Sequence, residues 1–337
     1  MKPHFQRWLG LLLIMMVLLA ACAPATAQTA PGVQSGGNTN PTGVTAPAAK
    51  TEVRIGYQRG GAWTVLKAQS TLEERFGPDV TVTWTLFAAG PQLLEALNAG
   101  GIDLGPTGET PPIFAQAAGT PLVYVATQSG SGDGSGILVP QDSPLQTPQD
   151  LVGKKIVFQK ASSSHLLLIK ALEKHGLNYG DIEPVFLAPP EARAAFENGS
   201  IDAWVVWNPF REAAIQELNA RELINGGDVA PTRGYILAKD TYAAQHPEII
   251  TAIVEELQKV QEWSRDHVEE YAAILEKETE IPAAVWVASF SRETTDYSLM
   301  DEAAVTHQQG VADIFFDLEL IPEPLQIDQA VWYGVDK

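Results

Sequence analysis

The sequence contains a single cysteine, Cys22, and this excludes an internal disulfide, a zinc site built from several thiolates and a Cys-x-x-Cys redox pair. Basic residues are also scarce, since 22 Lys and Arg stand against 41 Asp and Glu and give a formal net charge of −19. A chain this acidic is not expected to bind nucleic acid through overall attraction to phosphates. A small anion is not excluded, because a few well-placed donors can outweigh the net charge locally.

Sequence motifs of common enzymes and metal sites are absent as well. There is no His-Glu-x-x-His, no Walker loop, no Gly-x-Ser-x-Gly elbow and no EF-hand loop. The glycine-rich stretch at 130–136 is followed by the strand-like run Ile137-Leu138-Val139, whereas a dinucleotide fingerprint would open a helix. We therefore expect no metal, no cofactor and no catalytic residue.

The first 21 residues have the pattern of a signal peptide. Lys2, His4 and Arg7 precede an apolar run over 8–21, which is too short to span a bilayer core of about 30 Å. The run ends in Leu-Ala-Ala-Cys22, which resembles a bacterial lipobox, where the cysteine carries a lipid. We predict a lipoprotein signal peptide at 1–21 and lipid attachment at Cys22, with an ordinary secretory signal as the alternative.

Residues 22–50 are predicted to form a flexible, lipid-anchored tether. From Ala23 to Ala49 the sequence has no charged residue, no aromatic residue and no periodicity, so it cannot bury a core. As a flexible coil it would reach roughly 30 Å on average. The tether would let a folded body move above a membrane.

The rest of the chain alternates strand-like and helix-like segments. Residues 53–57 and 80–84 are typical of strands, and residues 93–99 and 113–118 are typical of helices. This alternation favours α/β layers with parallel sheets.

One sequence pattern occurs twice. The segment Ala-Leu-Asn-Ala-Gly-Gly-Ile-Asp at 96–103 returns 99 positions later as Ala-Phe-Glu-Asn-Gly-Ser-Ile-Asp at 195–202. The repeat predicts two similar α/β lobes, one formed by 51–135 plus 234–337 and the other by 136–233. Because ligands of open α/β sheets lie beyond the carboxyl ends of the strands, the loops leaving those strands should face a cleft between the lobes.

Four loops that follow predicted strands carry groups suited to an anion: 58–61, 107–109, 162–165 and 204–208. A helix N-terminus offers unpaired N–H groups and a partial positive charge, and small residues let an anion approach the backbone. The three serines at 162–164 add hydroxyl donors, although such serines are equally typical of a helix N-cap. The convergence of four loops favours a binding site.

At these loops the sequence resembles the aliphatic sulfonate-binding proteins of ABC importers, within the nitrate/sulfonate/taurine group. The matching stretches include Gly90–Asn98, Pro111–Gly119, 158–165 and Asp202-Ala203-Trp204, and the resemblance runs from about Val53 to Trp332. It implies a two-lobed periplasmic-binding-protein fold of type II, in which two segments cross between the lobes.

The resemblance also implies which residues bind the ligand. They are Gln58, Thr107, Gly108, Ser162, Ser163, Ser164 and Trp207. His165 ends the third loop and is included, and Arg292 corresponds to an arginine of the family that is expected to reach the sulfonate. Asn208 and Glu109 stand where the family has aspartate. Glu109 would repel an anion unless it meets a cationic group of the ligand or turns away.

The function implied by the resemblance is that of a binding protein and not of an enzyme. It would be an extracytoplasmic, membrane-anchored monomer, in the periplasm or at the outer face of the cytoplasmic membrane, that captures alkanesulfonates and delivers them to an ABC permease. Taurine, nitrate, bicarbonate and a thiamine-pyrimidine precursor are alternative ligands. A desulfinase-like enzyme on the same fold is disfavoured, because it would need a reactive cysteine and Cys22 is the sole thiol.

Overall fold

The structure, a computed structural model, describes residues 50–292 and 295–334. The predicted signal peptide, Cys22 and all but the last residue of the predicted tether lie outside the described residues. Within the described part of the chain, no helix combines the length and the apolar composition needed to cross a bilayer.

The described residues contain eleven strands arranged in two separate sheets. In chain order the strands are β1 (Thr51–Gln58), β2 (Val80–Phe87), β3 (Leu104–Gly108), β4 (Leu122–Gly130), β5 (Ser135–Val139), β6 (Lys155–Phe158), β7 (Glu183–Phe186), β8 (Ala203–Trp207), β9 (Arg221–Asn225), β10 (Thr232–Lys239) and β11 (Asp296–Leu299). The strand order is β11-β4-β10-β3-β1-β2 in the first sheet and β7-β6-β8-β5-β9 in the second.

Twelve α-helices connect and cover these strands within the described residues. In chain order they are α1 (Gly61–Ala68), α2 (Thr71–Phe76), α3 (Gly90–Asn98), α4 (Thr110–Ala117), α5 (Ser163–Lys174), α6 (Pro189–Glu197), α7 (Phe210–Leu218), α8 (Asp240–Gln245), α9 (Pro247–Asp266), α10 (Val268–Thr279), α11 (Ala283–Arg292) and α12 (Glu302–Asp317). The segments predicted to be helical at 93–99 and 113–118 correspond to α3 and α4.

The two sheets are built on the same plan. β2-β1-β3 and β7-β6-β8 are parallel triplets, and each is extended by an antiparallel strand, β10 in the first sheet and β5 in the second. The chain passes from the first sheet to the second between β4 and β5, and it returns between β9 and β10. The predicted two-lobed α/β fold is thereby confirmed, while the residue boundaries of the lobes stay a prediction.

The repeated Ile-Asp pair has the same role in both lobes. The Asp103 carboxylate accepts a hydrogen bond from the backbone N–H of Arg54 at 2.9 Å, and the Asp103 N–H donates to the Arg54 carbonyl at 2.7 Å. Asp202 makes the equivalent pair of bonds with Lys155, at 2.8 and 2.9 Å. Each aspartate lies one residue before its strand and fixes that strand against the central strand of its parallel triplet, β1 in the first sheet and β6 in the second.

The lobes also share an apolar contact. Leu166 and Ile169 of α5, which begins at the end of a second-sheet strand, lie in the same buried cluster as Ile113 of α4 and Phe315 of α12. Burial of these side chains on both sides stabilises contact between the lobes next to the carboxyl ends of their strands.

Candidate functional site

A cavity of about 310 Å³ lies where the strand-to-helix loops of the two lobes meet. The structure brings seven of the predicted ligand residues to its wall. They are Gln58, Thr107, Gly108, Ser162, Ser163, Trp207 and Asn208. The other four, Glu109, Ser164, His165 and Arg292, do not line the cavity and lie among other residues of the protein.

The first loop joins β1 to α1, and an aromatic ring of the cavity wall packs against it. The Gln58 amide donates to the Pro106 carbonyl at 3.1 Å, so it ties the end of β1 to the neighbouring strand β3. Gly60 has φ +98°, and a Cβ at this position would lie 2.2 Å from the Trp286 ring. Glycine is required here both by the backbone conformation and by the indole packed on it.

The second loop presents Thr107 and Gly108 at the end of β3. Gly234 of β10 lies opposite Gly108 in the antiparallel register, and the buried Thr107 hydroxyl donates to the Gly108 carbonyl at 2.9 Å. A Cβ at Gly108 would lie 2.0 Å from the hydroxyl oxygen of Ser163 in the other lobe. The glycine therefore lets the two lobes approach each other at the cavity.

The third loop places the N-terminus of α5 at the cavity. Ser162 is the N-cap residue, and its hydroxyl donates to the Gln159 carbonyl at 2.7 Å. Hydrogen bonds back to the Ser162 carbonyl begin with the N–H of His165, at 2.9 Å. The N–H groups of Ser163 and Ser164 precede that first bond, so they are the unpaired donors that a helix N-terminus offers to an anion.

Ser164 and His165 face the protein interior instead of the cavity, because successive residues of a helix point about 100° apart. Both side chains are about 1% exposed, and the Ser164 hydroxyl and both His165 ring nitrogens have no hydrogen-bond partner among the described residues. The His165 ring lies among rings from both lobes, with centroid distances of 5.0–6.4 Å. These rings belong to Phe158, Tyr179, Phe315 and Phe114. Burial lowers the pKa of His165 to about 4, so the imidazole is neutral at physiological pH.

Glu109 is turned away from the cavity. Its carboxylate lies 2.6 Å from Nε2 of His307 and accepts a hydrogen bond from the backbone N–H of Arg233 at 3.2 Å. The Gln308 amide donates to the Glu109 carbonyl at 2.7 Å. His307 and the Arg233 N–H thus hold the carboxylate apart from the space where an anion would lie, and Gln308 fixes the backbone of Glu109.

The fourth loop follows β8, which extends to Trp207, so Trp204 is a buried strand residue and not a loop residue. The Asn208 N–H donates to the Gly134 carbonyl at 2.8 Å, in the segment that joins β4 to β5. The side-chain oxygen and nitrogen of Asn208 have no partner among the described residues. Asn208 thus brings a buried, unpaired amide to the cavity wall.

Arg292, expected at the ligand, is placed elsewhere by the structure. Its Nε lies 2.6 Å from the Glu212 carboxylate, and its Nη1 lies 3.9 Å from Glu222. Two carboxylates in α7 and β9 attract this guanidinium and hold it outside the cavity lining.

Several lining residues were not among the predicted ligand residues. Arg59 and Arg233 border the cavity, and no described carboxylate forms an ion pair with either guanidinium. Trp63, Trp286 and Tyr297 add aromatic surface to that of Trp207. These residues come from distant parts of the chain, and only Arg59 belongs to a loop singled out above.

A larger cavity of about 830 Å³ adjoins this one and shares Ser129, Gly130, Thr232 and Arg233 with it. Its remaining wall includes the acidic side chains of Asp301 and Glu302 at the start of α12. Two carboxylates make it the less suitable site for an anion. Among the described residues, no group of three or more His, Cys, Asp or Glu side chains could hold a metal ion.

Known proteins resemble this chain over most of its length. A family model described as NMT1/THI5 like matches residues 85–270. A curated relative from Escherichia coli (strain K12), described as an aliphatic sulfonates-binding protein, is 41% identical over 292 residues, which are 86% of this chain and 91% of the relative.

Solved structures that share the fold include two sulfonate-binding proteins. The periplasmic aliphatic sulphonate binding protein SsuA from Escherichia coli is 40% identical with a TM-score of 0.77, over 84% of this chain and 97% of that one. The alkanesulfonate-binding protein SsuA from Xanthomonas axonopodis pv. citri, bound to MOPS, is 37% identical with a TM-score of 0.80, over 85% and 99%. These relatives are binding proteins, which agrees with the prediction that the chain is not an enzyme.

Proposed function

The chain belongs to the NMT1/THI5-like family, and from this membership we propose that it is a lipid-anchored extracytoplasmic solute-binding protein that captures aliphatic sulfonates for an ABC importer. The observation that carries the proposal is the cavity between the lobes, where the Ser163 hydroxyl, the N-terminal N–H groups of α5 and the backbone of Gly108 converge. The names of the similar proteins support the same class of ligand.

The headgroup chemistry suits these donors. A sulfonate is tetrahedral, carries one negative charge and stays ionised near neutral pH, so its three oxygens need donors and no proton. Ser163 and the first N–H groups of α5 supply neutral donors, and the helix dipole adds a favourable potential. Neutral donors avoid much of the desolvation cost of burying a paired countercharge. Arg59 and Arg233 offset the negative field of an acidic protein at the cavity wall.

The organic tail would lie against the aromatic wall formed by Trp63, Trp207, Trp286 and Tyr297. Burial of each methylene contributes about 0.8 kcal/mol, or roughly a fourfold gain in affinity, until the cavity is full. Among the described residues no carboxylate lines this cavity, so the ammonium group of taurine finds no anionic partner. An alkyl or ring-bearing sulfonate is therefore favoured over taurine, and nitrate is too small to use the wall.

Titration calorimetry tests the ligand class. Ethanesulfonate, butanesulfonate and hexanesulfonate should bind with increasing affinity, and taurine should bind more weakly than butanesulfonate. Hexanoate has a matched tail with a planar headgroup and should bind more weakly than hexanesulfonate. Binding of nitrate or of a pyrimidine, without binding of any alkanesulfonate, would contradict the proposed ligand.

The lipid anchor is proposed from the Leu-Ala-Ala-Cys22 sequence, which lies outside the described residues. Mass spectrometry of the protein from bacterial membranes should find a diacylglyceryl group on Cys22. Cys22→Ala should release the protein from the membrane fraction while hexanesulfonate affinity is unchanged. An unmodified thiol in the mature wild-type protein would contradict the anchor.

Delivery to a permease is proposed to follow closure of the lobes over the ligand, since the closed form presents a surface that the open form lacks. The loaded protein would act as a monomer. Light scattering at micromolar concentration, with and without hexanesulfonate, should give the mass of one chain, and a stable dimer would contradict this part of the proposal.

A further inference from the structure

An ion pair joins the two lobes beside the cavity. Arg292 ends α11, whose Trp286 and Val287 pack in the core of the first sheet, and Glu212 lies in α7, whose Ala214 packs in the core of the second sheet. The guanidinium Nε of Arg292 lies 2.6 Å from the Glu212 carboxylate. This contact crosses from one lobe to the other.

The partners of Arg292 form a balanced cluster of charges. Arg211 is fully buried, and its guanidinium pairs with Glu212 and with Glu222. Arg292 is the second cation for these two carboxylates, because its Nη1 lies 3.9 Å from Glu222. If the lobes separate, Arg292 leaves and two carboxylates share one guanidinium, with Glu212 only 3% exposed.

Arg292 and Glu212 differ in burial, and this difference makes their contact reversible. The Arg292 side chain is 37% exposed, so water can solvate it once the lobes part, whereas the Glu212 side chain is 4% exposed. The Gln216 amide, on the same helix as Glu212, also reaches the carbonyl of Ala284 on α11 at 3.5 Å. The α7–α11 interface thus carries two polar links between the lobes.

We propose that Arg292 is a positioning residue that holds the lobes closed through Glu212, and that it does not bind the sulfonate. The inference rests on the proposed function, because it assigns the pair a role in retaining the ligand. When the lobes open, Arg292 leaves Glu212 and Glu222 with one guanidinium between them. The uncompensated negative charge disfavours the open arrangement, so the pair slows ligand release without touching the headgroup.

Kinetics with hexanesulfonate as the probe test this role. Arg292→Gln and Glu212→Gln should each raise koff about tenfold and change kon by less than threefold, measured by stopped-flow tryptophan fluorescence. The double variant should resemble either single variant, because both remove the same pair. Arg292→Lys should restore part of the slow release.

A matched control is available within one lobe. Arg75 of α2 bridges two carboxylates, Glu255 and Glu256 of α9, and both helices pack in the core of the first sheet. Arg75→Gln should leave koff unchanged. Circular dichroism of every variant establishes that it is folded.

A direct role of Arg292 at the sulfonate predicts a different pattern. Glu212→Gln would then free the guanidinium and tighten binding, while Arg292→Gln would weaken it, and that result would overturn the inference. If the wild-type protein binds no sulfonate, the proposed function fails, and X-ray scattering of the ligand-free proteins still decides the role of the pair. Arg292→Gln should increase the radius of gyration, and an unchanged radius would overturn it.

Discussion

The Ser163 hydroxyl lies against the backbone of Gly108, so closely that a Cβ on this glycine would be 2.0 Å from the hydroxyl oxygen. Gly108 ends β3 in the first lobe, and Ser163 begins α5 in the second. The missing side chain of Gly108 leaves room for the Ser163 hydroxyl, and the two lobes meet at this contact over the candidate site.

Gly108→Ala should weaken binding of hexanesulfonate by about tenfold or more. The added methyl group collides with Ser163, so the hydroxyl must rotate out of the cavity or the lobes must stay apart, and either change removes roughly one hydrogen bond to a charged group. Calorimetry measures the affinity. Gly310→Ala is the control, because Gly310 lies within α12 and nothing is near its missing Cβ. Wild-type affinity in Gly108→Ala would contradict the contact.

The two adjacent serines should behave differently. Ser163→Ala removes a hydroxyl from the cavity wall, and loss of a hydrogen bond to a charged group, about 1.5–3 kcal/mol, predicts a ten- to hundredfold weaker affinity. Ser164→Ala replaces a buried hydroxyl that has no partner among the described residues, so it should leave affinity within twofold and stability equal or higher. Equal effects of the two substitutions, by calorimetry and thermal melting, would be inconsistent with this assignment.

Glu109→Gln should change sulfonate affinity by less than about threefold. The carboxylate is held by His307 and by the Arg233 N–H, and the amide keeps an acceptor for that N–H. Thr107→Asp is the contrasting variant, because it places a carboxylate on the cavity wall and should nearly abolish binding. Strong tightening in Glu109→Gln would mean that the native carboxylate faces the ligand.

His165 should make the protein sensitive to mild acid. Its pKa is about 4 in the folded state, against an ordinary value near 6.5, because burial disfavours the imidazolium. Between these values the unfolded chain binds a proton that the folded chain does not. The free energy of unfolding therefore falls as pH drops from about 6.5 to about 4, by about 3 kcal/mol from this group.

His165→Phe should remove that part of the pH dependence while it keeps an aromatic ring in the interlobe cluster. Urea unfolding of both proteins at pH 7 and pH 5 provides the comparison, in which carboxylates common to both proteins cancel. A pH dependence identical in the two proteins would contradict the assignment of the acid sensitivity to His165.

The duplicated fold could be predicted from sequence because its signals are local and occur twice. Gly100 and Gly199 have left-handed φ values of 76° and 71° at the ends of α3 and α6, and Asp103 and Asp202 fix equivalent strands 99 residues apart. Each of these residues acts within a few positions of its own segment or on one neighbouring strand. A repeat of the sequence pattern therefore indicates a repeat of the structure.

The direction of individual side chains could not be predicted in the same way. Thr107 and Glu109 are two residues apart, yet Thr107 lines the cavity and Glu109 meets His307 because the chain turns from β3 into α4 between them. Ser163 and Ser164 differ by one helical step. The composition of a loop shows that it is a candidate binding loop, but the backbone conformation decides which of its side chains reaches the ligand.

Long-range partners were beyond prediction because no local pattern marks them. Arg233 and Trp286 reach the cavity from segments far from the four loops, and Glu212 draws Arg292 away from the predicted position. Such pairings depend on how the lobes and the C-terminal helices pack. A single sequence carries no periodic signal for them.

A crystal structure of the protein with hexanesulfonate would show directly whether the sulfonate binds between the lobes. We expect the sulfonate between Gly108 and the N-terminus of α5, within hydrogen-bond distance of the Ser163 hydroxyl, and the alkyl chain against Trp207 and Trp286. A sulfonate bound outside the cavity between the lobes, or bound there without contact to Ser163 or the α5 N–H groups, would contradict this expectation.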